Sequence, residues 1–217
     1  MWRTILSDLI AGGIGALVGA FVAFKLERVA RRDDQQAADI EAGYRALLVL
    51  GQMRDQARSF AATVLDPYRG SPKAWIEMKP VYTFPLFEHR LELGSLAFLM
   101  TTGMAADAQA LQDAIVAERE FFDLRTAILN WNADRQEAMQ RLSAEHERGR
   151  VYSDADLEVI FGIALKRSLE QSAAALPGRS DRNIERLRSA LRDLHSALSR
   201  NLPTHSFQFP NESNEIE

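Results

Sequence analysis

Four histidines are the first side chains to test for metal or acid–base chemistry in this chain: His89, His146, His195 and His205. None has a second histidine at helical spacing, and the paired Glu-x-x-His pattern that builds di-iron sites in helical bundles is missing. His89 and Glu92 stand three residues apart once, which on a helix is an ordinary exposed polar pair. Carboxylates gather at Asp113, Glu118, Glu120 and Asp123, but Arg119 and Arg125 interleave with them. Such a pattern reads as a solvated, salt-bridged face rather than a general acid and base. The chain has no cysteine, which excludes thiol nucleophiles, disulfides and cysteine-ligated zinc. Its serines lack an elbow motif, and its glycines follow no strand and precede no Lys-Ser/Thr pair, so no phosphate loop is present. The chemistry-bearing residues therefore predict no enzyme, no cofactor and no metal.

The net charge of −4 lacks the basic excess of a generic nucleic-acid binder, so no specific nucleic acid is expected as a partner. At 47% apolar residues, the 217-residue chain can bury a core of its own. Its most apolar run lies at the N-terminus, where Leu9 to Phe24 contain no charged or strongly polar side chain. Counted from Ile5, past Ser7 and Asp8, this run would span roughly 30 Å as a helix, the thickness of a bilayer core. An uncleaved transmembrane anchor is the expectation, with a cleaved signal peptide or a buried core helix as alternatives. Lys25, Arg28, Arg31 and Arg32 follow the run and only Arg3 precedes it, which places the bulk of the chain in the cytoplasm.

Small residues recur within the run. Ala11, Gly15, Gly19 and Ala23 fall at four-residue intervals, beside a second row of Gly12, Ala16 and Ala20. On a helix these rows lie on one face and let two backbones approach closely in lipid. Ala11, Gly15, Gly19 and Ala23 are thus the candidate helix-packing residues, and a homo-oligomer or another membrane helix is the expected partner.

The remaining chain reads as all-α. Ile40, Tyr44, Leu47, Leu50, Met53, Ala57, Phe60 and Val64 recur at three- and four-residue steps, so the first helix is expected to continue as one rod to about Leu65. A proline- and glycine-punctuated loop follows over 67–85. Its Trp75, Tyr82 and Phe84 are candidates for a partner surface, or else pin the loop onto the end of a bundle. A short apolar helix is expected over 91–100. A long one follows over 105–148, with Leu111, Ala114, Ala117, Phe121, Leu124, Ile128, Trp131, Ala138 and Leu142 as its buried stripe. Ser153-Asp154-Ala155-Asp156 has the form of a capping box. Pro177-Gly178 is expected to end the helix that box begins, with Ser180-Asp181 capping a last helix. There Ile184, Leu187, Leu191, Leu194 and Leu198 form a coiled-coil-like seam. Arg179, Arg182, Arg186, Arg188, Arg192 and Arg200 give that helix a basic face. After Pro203 the tail is polar and acidic and is expected to be disordered.

The expected organisation is a transmembrane anchor with its basic flank over 1–32, a helical bundle over 33–202 and a disordered acidic tail over 203–217. The fold class is all-α, with an N-terminal transmembrane helix continuing into an antiparallel bundle whose main pair is the stalk and the long 105–148 helix. In style, Ala11 to Arg32 and Phe84 to Asn132 resemble uncharacterised bacterial and phage-associated single-pass membrane proteins. These combine a Gly/Ala-rich anchor with a helical cytoplasmic domain. That resemblance carries no diagnostic motif and implies no activity. The expected function is a membrane-tethered interaction or regulatory module, self-associating through its anchor, with the bilayer and a cytoplasmic protein as partners. The alternative is a membrane-perturbing or pore-forming effector with a cytoplasmic sensing domain.

Overall fold

The computed structural model describes the backbone of residues 2–80, 89–101, 103–145 and 152–208, and the side chains within those ranges from residue 23 onward. Every regular element among them is helical: α1 (Trp2–Phe60), α2 (Ala74–Glu77), α3 (Phe98–Thr101), α4 (Ala105–Ala144), α5 (Asp154–Phe161) and α6 (Ile163–Asn201), with short 3-10 or π turns between.

α1 is unbroken because no proline or turn cluster interrupts its first sixty residues. A π-helical turn over Ala61–Leu65 prolongs it, and Asp66-Pro67 begins the 3-10 turn that stops it. Leu47, Leu50, Met53, Ala57, Phe60 and Val64 are buried along one side, as their spacing predicts, while Tyr44 stays exposed. At Gly43 the helix comes so close to its neighbour that a Cβ would lie 2.9 Å from Leu198 Cδ2.

α6 is the centre of the bundle. It packs most extensively on α4 and next on α1, while α1 and α4 meet little. The main pair is therefore α4 with α6, not the stalk with α4. The reason is the width of the α6 apolar face: Leu187, Ala190, Leu191, Leu194, Ala197 and Leu198 are all buried, enough to cover two neighbours.

α6 also runs straight through Pro177-Gly178, where an end was expected. Proline removes one backbone donor and crowds the preceding turn. Leu169, Ala173 and Leu176 before it and Leu187 after it stay in phase on the same core, and their burial outweighs that local cost. Ser180 is consequently buried inside the helix rather than capping it, and Asp181 pairs with Arg69. The break falls instead at Gly162, whose φ of 81° and ψ of 150° suit glycine almost alone. Gly162→Ala should cost about 1–3 kcal/mol in a urea melt. Because a Cβ there would meet nothing closer than 3.7 Å, the cost would be backbone strain and not a clash.

The capping box forms as its residues predict, with Ser153 and Asp156 exchanging side-chain and backbone bonds at the start of α5. The 91–100 segment is less regular than expected, a 3-10 turn over Leu93–Leu96 followed by the single turn of α3. Of the segment after Pro203, residues 204–207 lie against α1, and the expected tail beyond residue 208 lies outside the described residues. Phe207 is buried, Tyr44 donates to the Ser206 carbonyl, and Gln36 bonds Thr204. His195 and His205 serve this clasp, bonding the Phe207 carbonyl and the Tyr44 hydroxyl.

Among the described residues no helix is long and apolar enough to cross a membrane. That finding corrects the single-pass anchor. With it go the resemblance to anchored bacterial proteins, the bilayer as a partner, the membrane location, the membrane-tethered module and its pore-forming alternative. From Ala23 onward, where its side chains are described, α1 carries Lys25, Glu27, Arg28, Arg31, Arg32, Asp33 and Asp34 in ten residues and is exposed as far as Ala38. Of the small-residue row, Ala23 is exposed, and the side chains of Ala11, Gly15 and Gly19 lie outside the described residues.

Candidate functional site

Two features stand out from the packed body. The first is the part of α1 that leaves it. Every residue from Ala23 to Ala38 is exposed, and burial begins only at Asp39 and Ile40. Phe24, Leu26 and Val29 are 62%, 66% and 55% exposed on this stem. A helical stretch of this length gains little from propensity alone and ordinarily depends on packing for its stability. Arg31 and Glu27 pair at 2.6 Å along it, and Gln35 bonds Asp39, which supplies a few tenths of a kcal/mol each.

The second feature is a cleft of about 910 Å³ between α4 and α6. Asp113, Glu120 and Asp123 line one wall and Arg179, Arg182 and Arg186 the other, each set at helical spacing. Glu120 and Arg186 bridge the walls at 2.8 Å. Asn183 adjoins the cleft, nearly fully buried, with neither side-chain polar atom hydrogen-bonded. The acidic wall largely offsets the basic one, so the arginines expected as a basic face present no net positive field here. No group of histidines and carboxylates with metal-binding geometry occurs among the described residues.

The aromatic loop is divided. Trp75 is buried, its ring edge-on to Phe161 with centroids 6.1 Å apart, and Arg135 pins the segment by donating to the Ile76 and Met78 carbonyls. Tyr82 and Phe84 lie outside the described residues. The loop is tied further by Arg69, which bridges Asp66 and Asp181 at 2.9 Å each and holds the Asp181 carboxyl below its ordinary range, chiefly through their hydrogen bonds.

The carboxylates of α4 also separate by role. Glu118 is buried and accepts from the Leu91 backbone amide, and Asp113 accepts from Gln109. Sequence reasoning passed over Asp107, the one fully buried acid among the described residues, which accepts from Arg200 and Asn201. Its position in the first turn of α4 gave no reason to expect burial, since acids are common there in solvent. No family model, no curated protein and no solved structure matches this chain.

Proposed function

We propose that this chain is a helical interaction module without catalytic activity, whose bundle presents the stem of α1 to a protein partner. The observation behind this reading is the stem itself: sixteen consecutive exposed helical residues that carry Phe24, Leu26 and Val29. Large apolar side chains on an unsupported helix cost hydration free energy that a partner surface would recover. The α4–α6 cleft supports the reading less well, because its acidic and basic walls offset each other and Glu120 and Arg186 pair across it.

A photo-crosslinking residue at Leu26 or Val29 of the full chain should form discrete protein adducts in cells. The same group at Val159, 84% exposed on α5, is the control and should form none. Equal labelling at all three positions, or no adduct at Leu26 and Val29, would defeat the reading.

A further inference from the structure

The stem is divided by charge. Residues 25–32 carry Lys25, Arg28, Arg31 and Arg32 against Glu27 alone, whereas residues 33–41 carry Asp33, Asp34, Asp39 and Glu41 and no basic residue. Local pairing does not erase the contrast. Arg31 is matched to Glu27 and Glu41 to Arg45, which leaves Arg28 and Arg32 to set the sign of the first block and Asp33 and Asp34 that of the second.

We propose that the partner of the stem is a second copy of this chain, paired antiparallel about a twofold axis near the Arg32–Asp33 boundary. The proposal rests on the reading of the stem as an interaction element and names what it binds. An isologous pair must be self-complementary, since each residue meets its counterpart's neighbour across the axis. The antiparallel arrangement sets each basic block beside the acidic block of the other copy. A parallel arrangement would set Arg28 and Arg32 against their own copies and Asp33 and Asp34 against theirs, which opposes association.

Geometry agrees with charge. With the axis at that boundary, Phe24 and Leu26 come alongside residues 39–41 of the other copy, where α1 enters the bundle. The same alignment carries the backbone of residues 9–24 past Leu48, which is 52% exposed on α1. Ala23, Ala30, Ala37 and Ala38 keep the stem narrow enough for close approach. The two bundles then lie at opposite ends of the paired stems and do not compete for space.

The chain has no cysteine, so single nitroxide labels can be placed at will. Full-length Ala23→Cys, Gln35→Cys and Ala38→Cys should each give one distance between copies. Antiparallel pairing makes it shortest at Gln35, about 20 Å at Ala38 and about 30 Å at Ala23, because distance grows by about 3 Å per residue from the axis. Arg28→Glu with Arg32→Glu should weaken the dimer by about tenfold or more, and adding Asp33→Lys with Asp34→Lys, which sets lysine opposite the new glutamates at the axis, should restore it. Equal short distances at all three sites would show parallel pairing and overturn the proposal, as would a monomer at every accessible concentration. In that event the crosslinks at Leu26 and Val29 separate the two claims. Adducts to a different protein leave the module reading standing without self-pairing, and absence of adducts removes both.

Discussion

Arg200→Ala should destabilise the bundle by about 3–5 kcal/mol, more than Asp107→Ala at the other end of the same ion pair. The carboxylate of Asp107 is fully buried in the first turn of α4, with Arg200 Nη2 2.6 Å and Nε 3.2 Å from one oxygen and Asn201 Nδ2 2.7 Å from the other. The two partners are not equivalent. The Arg200 side chain is 43% exposed, so without Asp107 its guanidinium can turn to water, and Asn201 keeps its bond to the Ala197 carbonyl. The cost of Asp107→Ala should then be about 1–3 kcal/mol. Removing Arg200 takes two charge-assisted hydrogen bonds from a fully buried carboxylate, and the desolvation of that charge dominates. Urea melts of both variants and the double variant test this. The double variant should be more stable than Arg200→Ala alone, and the reverse order would sink the argument.

Trp75→Ala should cost about 3–5 kcal/mol of stability. Trp75 lies in the single turn of α2, far too short to be stable alone, and its indole fills the space beside Phe161 at the end of α5. Truncation would open a cavity where α2, α5 and α6 converge, and would release the Met78 side chain, which is also buried. Phe161→Ala should be about as severe, and the pair should couple by about 0.5–1.5 kcal/mol in a double-mutant cycle, beyond the area each buries. Thermal melts read both quantities. A Trp75→Ala protein that melts like the parent would show that the indole contributes little to the core.

The convergence at Trp75 illustrates what local pattern can and cannot carry. An isolated aromatic between Pro72 and Pro80 has no periodicity, so its neighbours are decided by where the loop is pinned, and Arg135, sixty residues on, pins it. Phe207 is the same case: an aromatic residue in a largely polar tail, buried because α1 at Gly43 leaves room beside Leu198. The stem was visible as a charged flank, but its two blocks acquire meaning only once α1 is seen to leave the bundle near Ile40. The α4–α6 cleft was not legible, because facing walls require the antiparallel register that Asp107–Arg200 and Glu120–Arg186 record.

By itself the sequence determined the helical class, the buried stripes of α1, α4 and α6, and the capping box at Ser153, since each depends on contacts within one or two turns. Tertiary structure alone decided the rest. It carried α6 through Pro177, because burial on both sides outweighs one lost hydrogen bond, and it moved the break to Gly162. It placed α6 between α1 and α4, laid residues 204–207 on α1, and left the stem outside the core. Those outcomes depend on which surfaces meet across long stretches of chain, and spacing within a helix does not encode that.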